Sequence, residues 1–183
     1  MKNKYYGPIV TAVVVMAFIG GYFYLSNDND YYNSYRLQGN CTNNALDLSM
    51  TAMAPMIPAM MGLSDVSTNS TNGSVNETAL NEAVNNATLA LNYQQKMLKS
   101  AKTDTEKNYA KTLIEQSNAL LSYLGIVKTM GTNKNSANNT EFMNQLESFS
   151  NQTQNYQNEL QTIVNGDTTF KNRLKKEDQK NDN

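Results

Sequence analysis

Residues 74–101 read SVNETALNEAVNNATLALNYQQKMLKSA, and this stretch decides the fold. Leu80, Val84, Ala87, Leu91, Leu98 and Ala101 alternate at spacings of four and three, with Gln94 as the polar exception. That spacing lines the apolar side chains along one stripe of an α-helix and leaves the opposite surface polar. A lone helix of this kind does not hold its shape in water, so the stripe demands partners.

The partners follow in the chain. A helix over about 104–130 carries Tyr109, Leu113, Leu120, Leu124 and Val127, flanked by Ile114, Leu121 and Ile126. Another over about 139–164 carries Phe142, Leu146, Phe149, Tyr156, Leu160 and Ile163, with Thr153 between them. Each of the three helices opens on the same signal, a capping residue three positions before a Glu: Ser74 and Glu77, Thr103 and Glu106, Asn138 and Glu141. In such a box the cap oxygen accepts a free backbone N–H, and the Glu reaches back to the cap's own N–H. Gly131 and Asn165-Gly166 supply stops. Lys102-Thr103-Asp104 separates the first two helices, because extending the first stripe past Ala101 meets Lys102 and Thr105. The expected fold is all-α: an N-terminal transmembrane helix followed by a three- to four-helix antiparallel bundle with coiled-coil-like packing.

Upstream, residues 41–63 are rich in Met and Ala and are the expected fourth member of the bundle. Leu46, Met50, Met53, Ile57 and Met60 fall near helical spacing, with a kink or break expected at Pro58. Residues 64–74 are a loop by composition. The bundle domain is accordingly 41–166. A short helix built on Phe170 and Leu174, followed by a charged tail, fills 167–183.

Pro8 to Leu25, PIVTAVVVMAFIGGYFYL, is an uncharged run about long enough to cross a bilayer. Tyr5 and Tyr6 precede it, and Tyr22, Phe23 and Tyr24 close it, as in the aromatic belts of membrane interfaces. Lys2 and Lys4 lie before the run, and Asp28 and Asp30 follow it. The positive-inside rule keeps residues 1–7 in the cytoplasm and sends the bulk of the chain outside. A cleaved signal peptide fits less well. The run is longer than a typical h-region, and Phe18, Ile19 or Tyr24 stands where a cleavage site wants a small residue. Lipoprotein and type IV pilin processing motifs are absent. The expectation is a signal-anchored, single-pass protein of the plasma membrane, with residues 8–25 in lipid and 26–40 as a Tyr-rich stalk. Ala17 and Gly21 form a small-xxx-small pair, a weak dimerisation signal.

Composition narrows the chemistry. The 183 residues carry a net charge of -1, no His, no Trp and one Cys. Scattered charge gives no footprint for nucleic acid. Without His, the commonest acid–base group and metal ligand is missing. A single Cys excludes an internal disulfide. Cys41 therefore pairs between two anchored copies or stays a free thiol, and no His exists to activate it as a nucleophile. The chain is Asn-rich, with sequons at Asn40, Asn69, Asn72, Asn76, Asn86, Asn138 and Asn151. Asn40, Asn69, Asn72, Asn76 and Asn138 are the glycosylation candidates, since Asn86 and Asn151 fall inside expected helices.

Met50, Met53, Met56, Met60 and Met61 bear on three readings. Flexible apolar Met fills an irregular core around two prolines. It also makes a contact surface for a partner, and thioethers at spacings of three and four suit Cu(I), with Met50, Met53, Met56 and Met60 as the ligands. Core filling is the leading reading, and no cofactor is expected. Carboxylate pairs such as Glu77/Glu82 and Asp104/Glu106 sit at helix starts, where capping explains them better than acid–base chemistry. Gln94, Gln116 and Thr153 interrupt the stripes, either as a buried polar layer or facing solvent.

These features lead to a non-catalytic surface protein that presents a helical bundle for protein–protein interaction or self-assembly. Its expected partners are membrane lipid, an unknown protein and a second copy of itself, with no nucleic acid. The alternatives are an extracytoplasmic sensing or solute-binding module and a Met-rich copper-binding protein.

Overall fold

The computed structural model describes residues 30–56, 74–132 and 139–178. The apolar run 8–25, Met60, Met61 and the loop 64–73 lie outside the described residues. Among the described residues no helix is long and apolar enough to cross a membrane.

The described chain is a bundle of α-helices. They are α1 (Asp30–Met53), α2 (Glu77–Ser100), α3 (Asp104–Thr132), α4 (Asn139–Gly166) and α5 (Thr168–Asp178), with a 3-10 turn at Ala54–Met56. No strand occurs among the described residues.

The largest departure from the sequence reading is α1. Residues 30–40 are helix rather than stalk, and Tyr31, Tyr32 and Tyr35 are buried in the core. The bundle therefore begins at Asp30 and not at residue 41. The helix ends at Met53, because Pro55 disfavours helical geometry at Ala54, and the chain tightens into the 3-10 turn. The break thus falls before Pro55, earlier than the expected one at Pro58.

Contacts fix the direction of each helix. Asn76 N–H donates to Ala52 C=O at 3.0 Å, while Gln94 Nε2 donates to Gln38 Oε1 at 2.8 Å. The end of α1 therefore meets the start of α2, and the two run in opposite directions. Tyr123 of α3 stacks on Phe149 of α4, with centroids 4.5 Å apart and planes at 10°. At the other end Thr105 Oγ1 donates to Asp167 Oδ2 at 2.8 Å. These contacts make α3 and α4 opposed as well.

The buried positions repeat at spacings of three and four on every long helix. On α1 the repeat is Tyr31, Tyr35, Gln38, Thr42, Ala45, Ser49 and Ala52, with Tyr32, Ser34, Gly39 and Leu46 buried beside it. On α2 they are Leu80, Ala83, Ala87, Ala90, Gln94 and Met97. Here the stripe is turned from the expected one, and Val84, Leu91 and Leu98 are only half-buried. The cause is α1: both helices carry small residues at their buried positions and pack closely along their length. On α3 and α4 the expected Tyr109, Leu113, Leu120, Leu124, Val127, Leu146, Phe149 and Leu160 are all buried.

The first helix start also shifts. The cap of α2 is Asn76, whose Oδ1 accepts Ala79 N–H at 3.2 Å, while Ser74 is exposed. Val75 and Leu80, at the two staple positions around that cap, are both buried. Asn76 is held in place by its bond to Ala52, so tertiary structure selects between two adequate caps. The break between α2 and α3 lies where the sequence puts it, with Ala101 extended at ψ 129.

Candidate functional site

Two polar clusters stand out in the core. The first lies at the end of the bundle where α1 begins. Glu106 is only 1% exposed. Its Oε2 accepts Lys102 N–H at 2.7 Å and Thr103 N–H at 3.1 Å, and Thr103 Oγ1 accepts Glu106 N–H at 3.1 Å. This is a closed capping box at the start of α3.

The same residue draws in two other helices. Tyr32 O–H donates to Glu106 Oε1 at 3.4 Å, and Tyr31 O–H donates to the Glu106 C=O at 3.0 Å. From α5, Arg173 Nη1 stands 3.7 Å from Glu106 Oε1. Burial pushes both tyrosine hydroxyls above their ordinary pKa, with Glu106 reinforcing the shift and Arg173 opposing it at Tyr32. Phe170 packs edge-on against Tyr109 at 5.3 Å, and Leu174 is buried one turn on. Asp167 caps α5 by accepting Phe170 N–H at 2.9 Å. That bond, then the one from Thr105, holds the Asp167 carboxyl below its usual range. The cluster is a clasp made of α1, α3 and α5, and its carboxylate is spent on capping.

The second cluster crosses the middle. Gln94, Gln116 and Thr153 are all buried, so the polar-layer reading holds for their burial. Gln94 reaches Gln38 as described, and Thr42 Oγ1 donates to Gln38 Oε1 at 3.4 Å. Gln38 Nε2, Gln94 Oε1 and Gln116 Nε2 are buried without a hydrogen-bond partner. Thr42, Leu46, Gln116, Ser117, Phe149 and Thr153 line a cavity of about 10 Å³, roughly the room one water needs. All four long helices contribute to this layer.

The methionines are divided. Met50 and Met53 are half-buried against the core, and Met56 is buried in it. Met53 Sδ accepts Tyr123 O–H at 2.8 Å. Met60 lies outside the described residues. These three positions suit the packing of an irregular helix end.

Cys41 is half-buried on α1, and burial raises its thiol pKa. Of the glycosylation candidates, Asn40 is a half-buried helical residue and Asn76 is the exposed cap of α2. Asn86 donates Nδ2 to Glu82 C=O at 2.9 Å, and Asn151 is exposed on α4. Asn69, Asn72 and Asn138 lie outside the described residues, and so does the third expected capping box.

The sequence reading missed Glu106 as a tertiary hub, because it placed Tyr31 and Tyr32 in a stalk and left Arg173 near the tail. The four-three spacing of Tyr31, Tyr35, Gln38 and Thr42 was the available signal.

No protein-family model, curated protein or solved structure matches this chain.

Proposed function

We propose that the chain is a non-catalytic, single-pass protein of the plasma membrane. Residues 8–25 anchor it, and an antiparallel, coiled-coil-like bundle stands outside for protein–protein contact or self-assembly. The supporting observation is how the bundle uses its chemistry. Glu106, Tyr31, Tyr32, Gln38 and Gln94 are turned inward and engaged with one another or with backbone, between helices. The outward faces of α2 and α4 carry Asn81, Asn85, Thr88, Asn92, Gln152, Asn155 and Asn158, with exposed Leu37 and Leu89 among such polar faces. A rigid body of this kind offers long helix faces, and tethering raises the effective concentration of weak sites on them.

Intact cells treated with a broad-specificity protease test the reading. The expected product is a released fragment beginning between residue 26 and the start of α1, read by intact mass. Mass above the polypeptide value reports sugar on the sequons. Full protection from protease on intact cells, with cleavage after lysis, would place the bundle inside and sink the proposal.

A further inference from the structure

Charge is unevenly shared between the two ends of the bundle. The end holding the start of α1 also holds the α2–α3 connection and α5. It exposes Lys99, Lys102, Lys107, Arg173 and Lys175. Among the residues whose burial is described, the exposed acids there are Asp30 and Asp104; Asp104 pairs with Lys107 at 3.3 Å and Arg173 stands 3.7 Å from Glu106, so Lys99, Lys102 and Lys175 carry the excess positive charge. Asp167 is turned to Thr105 and the α5 backbone, and Glu106 is buried in the clasp. The far end exposes Asp47, Glu77 and Glu82 with Lys128.

Chain geometry sets which end is near the bilayer. Between Leu25, the last residue of the apolar run, and Asp30, the first of α1, the chain spans at most about 17 Å even when fully extended. The polar headgroup layer takes up roughly 5–7 Å of that distance. Lys and Arg side chains reach several ångströms further. Arg173 is held at this end by Glu106, and α5 is seated by buried Phe170 and Leu174, so its cations have a fixed position.

We infer that this basic end, with α5 at its centre, rests on anionic phospholipid headgroups and sets the bundle upright on the membrane. The inference rests on the anchor proposed above and on anionic phospholipid in the leaflet that faces the bundle. Clustered cations beside a membrane span gain from a negative surface, and the gain falls within a Debye length. The acidic far end is repelled by the same surface, so both ends favour one orientation.

The test uses the full chain reconstituted in vesicles, with Cys41→Ser as background and a bimane dye on Lys175→Cys or Asp47→Cys. Quenching by headgroup-level spin-labelled lipid is compared in phosphatidylcholine with and without about one third phosphatidylglycerol. The expected result is quenching at position 175 that rises about threefold or more with phosphatidylglycerol and falls again in high salt. Position 47 stays unquenched in both. Lys99→Glu with Lys102→Glu, neither of which enters the clasp through its side chain, is expected to remove most of the rise. Retention of the chain after alkaline carbonate washing reads the anchor separately. Retained protein with no dependence on phosphatidylglycerol overturns this inference alone and leaves the basic end for an acidic protein partner. Loss of the protein from washed vesicles overturns the anchor and this inference together.

Discussion

Thr103 and Glu106 cap each other: Glu106 Oε2 accepts Thr103 N–H and Thr103 Oγ1 accepts Glu106 N–H, both at 3.1 Å. The pair closes the start of α3 and, through Tyr31, Tyr32 and Arg173, holds three helices at one end. Glu106→Ala removes the acceptor for two backbone N–H groups and opens a buried space. Thr103→Ala removes one cap bond at an exposed residue. The expected cost is about 3 kcal/mol for Glu106→Ala and about 1 kcal/mol for Thr103→Ala, read from urea unfolding. Equal losses would mean that Glu106 acts only as a local cap.

The α5 clasp is expected to loosen in acid. The folded Asp167 carboxyl sits below its ordinary 3.8 because Phe170 N–H and Thr105 O–H bond to it. A group with a depressed folded pKa adds stability above the unfolded value, and that stability is lost as pH falls through the folded value. Hydrogen exchange at the α5 amides should therefore quicken as pH drops through and below 3.8, after correction for intrinsic rates. Asp167→Asn should abolish the pH dependence. Unchanged protection of α5 in wild-type protein across that range would remove Asp167 as the cause.

What was readable in the sequence follows from contrast. Leu113, Leu120, Leu124 and Val127 alternate with Lys, Glu and Asn, so the face of α3 announces itself. The Thr103 box and the break before it depend on residues adjacent in the chain, and they are legible for that reason. The seam of α1 is Tyr31, Tyr35, Gln38, Thr42, Ala45, Ser49 and Ala52, which has the same spacing with almost no hydropathy contrast. Such residues are buried here because small side chains let α1 lie close to α2, a tertiary fact. The cap at Asn76 depended on a bond to Ala52, 24 positions away. Of the clusters, Gln94 and Gln116 were visible as interruptions, whereas the Gln38 partner was hidden in α1.

The Gln38–Gln94 pair makes one good bond and leaves Gln38 Nε2 and Gln94 Oε1 unpartnered in the core. Removing one member leaves the other amide with less satisfaction, at about 1–3 kcal/mol. Replacing both removes the two orphaned amide groups and leaves the Thr42 O–H, which bonds Gln38 Oε1 at 3.4 Å, to turn to a C=O of its own helix. Gln94→Leu alone is expected to destabilise, and Gln38→Met with Gln94→Leu should recover most or all of the loss. A double-mutant cycle by chemical denaturation measures the coupling. Additive losses would show that the two amides do not act as a pair.

Tyr31 and Tyr123 are held neutral by burial, with folded pKa values far above the ordinary 10.0. For an acid whose folded pKa is raised, the stability it contributes is full below the unfolded value and declines as pH rises past 10.0. Absorbance titration should show the tyrosinate signal of Tyr31 and Tyr123 appearing in a step that coincides with loss of helix by circular dichroism. Tyr123→Phe should shrink that step and move the helix loss to higher pH. A smooth titration of every tyrosine in the folded protein would contradict the burial of these two rings.

Ala83 and Ala87 are 0% exposed on the α2 seam, where the small residues of α1 and α2 allow close approach. Neither site has room for four-carbon side chains without separating the helices. Overpacking of this kind costs about 1–3 kcal/mol at a site that can relax and more at one that cannot. Ala87→Leu is expected to destabilise by about 3 kcal/mol in urea. It should also expose α1 amides to hydrogen exchange, while amides of α3 around Leu120 stay protected. Leu89, two residues on from Ala87 and 47% exposed on the outer surface, provides the control. Leu89→Ser should change stability by no more than about 0.5 kcal/mol. If Ala87→Leu were instead neutral, the tight fit of α1 against α2 would be wrong, and the buried polar seam of α1 would lose its physical explanation.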